Sequence, residues 1–577
     1  MAKRYTYPSK NVFGDFLLVD TSLIKHLIGD KKSEQPLQIE ADGNTYPGRV
    51  LPEYNMIGGI EQILGMRKAE VGNVIIEVAD AEKGRAPRIV VALQHTAGEL
   101  GGMYLGLHHK STGAAKKLEG TPYQLDPKRL RTHTFICGRT GSGKTVLTKA
   151  IVEEALLQGI PVVVIDLKGD LASLGIVPLA MTPKEFAEFC GDEDENPQTK
   201  LARAVAEQEK TKQRLSNFKL TEADSRKLKD SIHFRVFTPR ASYGAPLSLA
   251  GQLSAPDNIG QIRKQDPDLY SEMCSAVTDA FLDRLYPTAN RQAFEKERAF
   301  MHTLIQYCWS ESIPLAGEHG LRTLREYVIE PPFEEIGGVR VADFLGPRRV
   351  RLRDKLATQL AVPEIEWFRG EPLNASILVE SRDGKTPLTI ISVSHLNTFE
   401  DRAFVVAQVA YVLTSWMRTQ GETDTPRVLL VVDEIGAQGG PSSLFPSYPK
   451  DPPSKRFLSQ IIRQGRSFGV CGLLATQNPS DIDYKALGNC GLWLAGSLLT
   501  NRDRTNVLQG MGLDDMRRDL TQGWIAGAGE GEFVIRDVPI PSPFMIRVRW
   551  LHTYHRGLER SRLEQLSSHW PDTKKPK

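Results

Sequence analysis

Gly138-Arg139-Thr140-Gly141-Ser142-Gly143-Lys144-Thr145 is the stretch that decides the fold of this 577-residue chain. Before it stands the apolar run His133 to Cys137, and after it Val146, Leu147, Ala150, Ile151 and Ala155 recur at helical spacing until Gly159. Those periods predict a buried strand, a glycine-rich loop and a helix that stops at the glycine. At such a junction the glycines let backbone N–H groups close around phosphate oxygens. Lys144 brings positive charge to the terminal phosphates, and the Thr145 hydroxyl is placed to hold Mg²⁺. Gly138, Arg139, Thr140, Gly141, Ser142, Gly143, Lys144 and Thr145 are therefore the expected nucleotide-binding residues, with ATP and Mg²⁺ as cofactors. A chance glycine-rich turn would not carry both the strand and the helix.

Far downstream, Arg427-Val428-Leu429-Leu430-Val431-Val432-Asp433-Glu434 reads as a buried strand ending in two acids. Ligands of open parallel sheets bind at the carboxyl ends of the strands. Asp433 is thus expected to support the Mg²⁺ shell and Glu434 to act as general base on the attacking water. Lys455 to Phe468 reads as an amphipathic helix from Phe457, Leu458, Ile461, Ile462 and Phe468, ended by Gly469 and carrying Arg463 and Arg466 on its polar side. A second buried strand, Val470 to Gln477, would lie beside the acid-tipped one. Its terminal amide, Gln477, is a candidate for sensing the γ-phosphate or orienting water.

Composition excludes other classes. The chain is long enough for two to four domains. Its charge is 73 basic against 70 acidic residues, too balanced for a surface coated for unspecific nucleic-acid binding, although a basic channel inside a ring would not alter that total. No run approaches the roughly 18 apolar residues of a membrane span, and Met1-Ala2-Lys3-Arg4-Tyr5-Thr6 lacks the apolar core of a secretory signal, so a cytoplasmic location without membrane contact is expected. Cys137, Cys190, Cys274, Cys308, Cys471 and Cys490 show no metal or disulfide spacing and read as reduced core residues.

Residues 1–95 read as a small β-rich, barrel-like domain for docking a partner or DNA. Its strand-like runs are Asp15 to Asp20, Leu37 to Ala41, Thr45 to Leu51, Asn73 to Ala79 and Arg88 to Leu93; Asp42-Gly43 is a hairpin signal, and Ile57, Ile60, Ile63 and Leu64 suggest a helix. Residues 96–130 read as a glycine-rich connector in which His108-His109-Lys110 lies in a loop rather than in a metal site. Strand and helix alternation marks an α/β, RecA-like P-loop NTPase core with a parallel sheet over 131–183 and 385–550. A mostly helical insertion is expected over 184–384, with an exposed helical hairpin at 200–230 and the basic run Arg348-Arg349-Val350-Arg351-Leu352-Arg353. Residues 551–577 form the tail.

The set of motifs resembles the HerA family of the HerA/FtsK superfamily of ring-forming DNA-pumping ATPases. It comprises Gly138 to Thr145, Val163-Val164-Ile165-Asp166-Leu167-Lys168-Gly169-Asp170, Asp433-Glu434, Arg463-Gln464-Gly465-Arg466-Ser467-Phe468-Gly469-Val470 running into Ala475-Thr476-Gln477-Asn478-Pro479, and Gly531-Glu532-Phe533-Val534-Ile535-Arg536 with Ile540-Pro541. The resemblance implies a homo-hexamer with double-stranded DNA in its central channel and ATP at subunit interfaces. It also implies an arginine reaching the γ-phosphate from the neighbouring subunit, Arg466 first and Arg463 second, and a part for Asp166 in building the nucleotide site. Such proteins commonly work with a NurA-type nuclease in DNA end processing, or serve as rings for effector enzymes in anti-phage defence. The leading expectation is an ATP-dependent DNA translocase or helicase acting with such a partner. A ring scaffold that licenses an effector and a conjugative coupling-type pump stand as alternatives.

Overall fold

The computed structural model describes residues 4–567 apart from 9–11, 14–15, 29, 42–43, 59–70, 79–87, 96–101, 110–119, 191–195, 242, 250–252, 256–258, 287–290, 362–363, 437–442, 448–451, 484–486, 541 and 559. Two compact units divide the chain, Met1–Tyr104 and Leu105–Lys577.

The first unit is an eight-stranded sheet in the order Arg4–Pro8, Val71–Val78, Arg88–His95, Gln35–Ala41, Asn44–Leu51, Met56–Gly58, Phe16–Leu18, Val12–Phe13. Leu17, Ile39, Val50, Ile57, Ile76 and Ile89 are fully buried in its core. The hairpin expected around Asp42-Gly43 is present, with Ala41 opposite Asn44, although the two turn residues lie outside the described ones. Of the residues expected to form a helix from Ile57, only Ile57 is among the described ones. Ile57 sits in a strand, opposite Leu17 on one side and Val50 on the other; Ile60, Ile63 and Leu64 lie outside the described residues. Apolar residues three apart fit a helix, but two neighbouring strand edges claimed the first of them. A helix over Thr21–Ile28 buries Leu23, Ile24, Leu27 and Ile28, and the Leu23 N–H donates to the Asp20 carboxylate at 2.9 Å.

The strands of the large sheet are β1 (Met103–His108), β2 (Pro122–Leu125), β3 (Thr134–Cys137), β4 (Val162–Asp166), β5 (Ile232–Phe237), β6 (Thr386–Ser392), β7 (Val428–Val432), β8 (Val470–Thr476), β9 (Leu492–Ala495), β10 (Glu532–Asp537) and β11 (Phe544–Val548). They form one sheet in the order β2-β1-β11-β10-β9-β3-β8-β7-β4-β6-β5. From β9 to β5 every pairing is parallel, whereas β9-β10, β10-β11 and β11-β1 are antiparallel. Every residue of β3, β4, β7 and β8 is buried, as the unbroken apolar runs require for a sheet covered on both faces. Each buried Val, Leu or Ile there contributes about 1.5–3 kcal/mol.

Three helices matter for the site: α1 (Lys144–Leu157), α2 (Phe399–Thr419) and α3 (Pro453–Phe468), of which α2 and α3 pack on each other. Fully buried Arg549, just past β11, donates to Glu153 at 2.7 Å and Glu154 at 2.8 Å, fastening the rear of α1 to the C-terminal segment.

Some expected boundaries move. His108 ends strand β1 instead of lying in a loop; the glycine-rich sequence hides a strand whose partner, β11, is supplied from the far end of the chain. His109 meets Glu532 at 3.3 Å, and Lys110 lies outside the described residues. Strand β5 falls within 184–384 and yet forms the sheet edge beside β6. The expected hairpin is two helices, Pro197–Asn217 and Glu222–Ser231, the second opened by a Thr221–Asp224 capping box. It does not project freely, for Leu228 is buried and the Ser225 hydroxyl lies 2.9 Å from His552 Nδ1. The Arg348–Arg353 run lies on helix Arg348–Gln359, where Arg348 pairs with Glu297 at 3.0 Å, Arg349 donates to the Val328 carbonyl and Arg353 pairs with Asp354. All six cysteines are buried free thiols.

Candidate nucleotide site

The loop Gly138–Gly143 leaves β3 at the carboxyl edge of the sheet and enters α1. Its start is tied to the strand beside it, the Arg139 N–H donating to the Ser497 carbonyl at 2.8 Å. Gly141 has φ +77°, so glycine is demanded there by backbone conformation alone, since a Cβ would meet nothing. Gly143 has φ +94°, and its Cβ would also come within 3.1 Å of Gly531. That second glycine brings in the C-terminal segment: the Gly531 N–H donates to the Ser142 carbonyl at 2.9 Å, so the turn before β10 braces the loop from behind.

Lys144 is buried, and its ammonium donates to the Gly138 carbonyl at 2.7 Å and the Arg139 carbonyl at 3.1 Å. Burial lowers its pKa, while Glu434 and Asp433 act the other way. The loop thus holds its lysine folded over the space its backbone frames.

Asp433 and Glu434 follow β7 directly and are both buried. Burial pushes the Asp433 carboxyl up to about 6; Lys168 pulls it down, and Glu434 and Asp166 add to the rise. A buried carboxylate in that condition gains from a cation placed beside it, which fits the hard oxygen donors Mg²⁺ takes. Glu434 has φ +64°, unusual for a side chain of its size and a kind of backbone strain that clusters at functional sites. Its carboxylate is engaged on both oxygens, Oε2 with the Lys168 ammonium at 2.8 Å and Oε1 with the Gln477 N–H at 3.0 Å. The Gln477 side-chain oxygen accepts from the Thr140 hydroxyl at 2.6 Å, closing a bridge from phosphate loop to β8.

Asp166 is near these groups without facing the loop's open space. Its carboxylate accepts the N–H groups of Gly169, Leu171 and Ala172 at 2.8, 3.0 and 3.0 Å. Burial raises its pKa against those three bonds. Asp166 therefore builds the turn that carries Lys168.

Arg463 and Arg466 lie elsewhere. Both are exposed on the last turns of α3, which runs back to the amino edge of the sheet before β8 begins. The Arg466 carbonyl accepts from Arg131 at 3.2 Å, and the Arg466 charge reaches His133, which precedes β3. The seven residues of β8 separate that edge from Gln477, about 20 Å at a strand's rise. Neither arginine can reach the phosphate loop of its own chain.

Of the residues the sequence nominates, Gly138 to Thr145, Asp433, Glu434 and Gln477 stand at one sheet edge, Asp166 supports the turn beside them, and Arg463 and Arg466 stand at the other edge. Local sequence assigns no role to Lys168, to the Thr140–Gln477 bridge or to the Gly531 brace. The signal for Lys168 was present, since a lysine two residues past an acid-tipped apolar strand stands at the same sheet edge as Asp433.

The helicase HerA central domain family (DUF87) matches residues 110–311. The DNA double-strand break repair helicase HerA of Pyrococcus furiosus is 27% identical over 121 residues, 21% of this chain and 20% of that protein. The probable helicase MJ1565 of Methanocaldococcus jannaschii is 30% identical over 95 residues, 16% of this chain and 18% of that protein. The chain thus spans about a fifth of the length of the curated relatives it matches. Among solved structures, VirB4 of Thermoanaerobacter pseudethanolicus is similar at a TM-score of 0.45 and 14% identity, over 79% of this chain and 98% of that one. Plasmid coupling protein TrwB in complex with ADP and Mg²⁺ is similar at a TM-score of 0.41 and 14% identity, over 80% and 98%.

Proposed function

We propose that this chain, a HerA-like ATPase of the HerA/FtsK superfamily, hydrolyses ATP to drive double-stranded DNA through a homo-hexameric ring. It would act with a NurA-like nuclease or another effector enzyme in DNA end processing or anti-phage defence. The observation that carries the reading is the convergence of Lys144, Asp433, Glu434 and Gln477 at one sheet edge, while Arg466 stands exposed at the other. In this scheme the backbone of Gly138–Gly143 and Lys144 bind the phosphates, and the Thr145 hydroxyl and Asp433 hold Mg²⁺, which neutralises phosphate charge. Glu434 takes a proton from the attacking water and Gln477 orients that water. Arg466 enters the site of the next subunit, with Arg463 as the second choice, because an arginine stabilises charge that develops in phosphoryl transfer and neither of these reaches the phosphate loop of its own chain.

Long duplex DNA should stimulate the ATPase of the assembled protein, and DNA binding should weaken steeply with salt as phosphate contacts release counterions. A verified hexamer that hydrolyses ATP equally with and without duplex, and whose partner is activated without DNA, would refute transport. The internal pairing of Arg348, Arg349 and Arg353 favours the second reading, a ring scaffold whose ATP site licenses an effector while DNA movement is secondary.

A further inference from the structure

We propose that Lys168 is a γ-phosphate sensor that holds Glu434 in an ion pair while the site is free of ATP and releases it when a γ-phosphate takes the lysine. The inference rests on the ATPase reading above and adds a residue and a gating step to it.

Three observations converge. First, the pair is built rather than incidental: the Lys168 side chain is 26% exposed and Glu434 1%, at 2.8 Å. A carboxylate so desolvated is costly unless a cation and hydrogen bonds satisfy it, and Lys168 and the Gln477 N–H do so. Second, both partners stand on stiff supports. The Asp166 carboxylate pins the turn bearing Lys168 through three N–H groups, with Gly169 at φ +89°, while Glu434 is held at φ +64° just beyond the adjacent strand. Third, Gln477 ties the clasped carboxylate to the phosphate loop, its N–H on Glu434 at 3.0 Å and its side-chain oxygen on the Thr140 hydroxyl at 2.6 Å, so the ion pair stands beside the loop that would hold the phosphates.

A carboxylate clasped by an ammonium on one oxygen and an N–H on the other has two of its about four lone-pair sites taken and its charge held by the lysine, which makes it a poorer base toward water. ADP offers no group at the γ position, so the clasp persists. A γ-phosphate, with more negative charge than one carboxylate, competes for the lysine and frees the Glu434 oxygen that faced it. The base is thereby armed only when there is a bond to cleave.

The test is a thermodynamic cycle read by binding alone. Affinities for ADP and a non-hydrolysable ATP analogue are measured with Mg²⁺ on the wild type, Glu434→Gln, Lys168→Met and the double variant. In the wild type part of the analogue's binding energy breaks the ion pair, so Glu434→Gln should tighten the analogue about 10-fold, the scale of a charge-assisted bond. ADP affinity should change less than about 2-fold, and the gain should vanish in the Lys168→Met background. Lys168→Gln repeats the cycle should the methionine variant fold poorly, and Lys168→Arg should retain the coupling. Equal tightening with and without Lys168, or equal tightening of ADP and analogue, would overturn the sensor. A wild type that binds neither nucleotide would instead bring down the ATPase reading itself.

Discussion

The two edges of one parallel sheet carry opposite chemistry. At the carboxyl edge Lys144, Lys168, Asp433 and Glu434 are buried or half-buried, with Lys168 paired to Glu434 and Lys144 bonded to loop carbonyls. At the amino edge Arg463 and Arg466 reach into solvent, and the buried ionisable group is His133, a neutral imidazole. The first arrangement gathers two cations and two carboxylates around the phosphate loop; the second presents two exposed arginines at the opposite end of the same strands. A ring in which the amino edge of one subunit faces the carboxyl edge of the next, as proposed above, would bring the two together.

The largest effects should come from separating the edges by mutation. Lys144→Ala should abolish ATP binding, and Glu434→Gln should retain binding while losing turnover, measured by nucleotide binding beside phosphate release. Normal turnover in Glu434→Gln would end the assignment of the base. Arg466→Ala should keep nucleotide affinity and lose about 10³- to 10⁵-fold in turnover, as arginine fingers do. Mixing Arg466→Ala with Glu434→Gln subunits should restore activity at interfaces that combine an intact Glu434 with an intact Arg466. Mixed rings that assemble and stay inactive would break the shared-site comparison and move attention to Arg463.

These predictions rest on what local sequence could carry. A phosphate loop is contiguous, and its strand, glycines and helix are each marked by their own spacing, so Gly138 to Thr145 could be placed from the residues. Asp433 and Gln477 were legible for the same reason: polar residues end runs that are otherwise wholly apolar. The Lys168–Glu434 pair, the Gly531 brace and the Thr140–Gln477 bridge were not, because each exists only through a partner hundreds of residues away. Strand β1 was lost in its glycine-rich surroundings and Ile57 was given to the wrong period, because pairing across the sheet and not local propensity decided both.

An intermediate effect tests the amino edge alone. Burial first, then the Arg466 charge, lowers the His133 pKa to about 4, and the Gly472 N–H donates to its Nδ1 at 3.0 Å. The folded pKa lies below the unfolded value of about 6.5. Its stabilising contribution is therefore present above pH 6.5 and is lost as pH falls toward 4, because the unfolded chain takes the proton first. The span corresponds to about 3 kcal/mol. His133→Asn, which can still accept from Gly472 and does not titrate, should lose about that much less stability than the wild type between pH 7.5 and 4.5 in chemical denaturation. Parallel curves would show that His133 protonates freely and that the amino edge is wetter than its burial indicates.

The smallest expected effect bears on whether any surface outside the two edges handles DNA. Arg353 pairs with Asp354 on an exposed helix face, and such a pair contributes about 0–1 kcal/mol. Arg348 differs: its partner Glu297 is buried to 1% exposure, so Arg348→Met would strand a charge and cost several kcal/mol, which makes it a poor probe of binding. Arg353→Ser is the clean one. It should change stability by less than about 0.5 kcal/mol and leave the dependence of duplex affinity on salt unaltered. Were Arg353 a phosphate contact, its loss would lower the slope of log affinity against log salt by about 1. That result would transfer DNA handling from the sheet-edge rings to the helical insertion, and would make the basic run a part of the transport path instead of a brace for the helices beneath it.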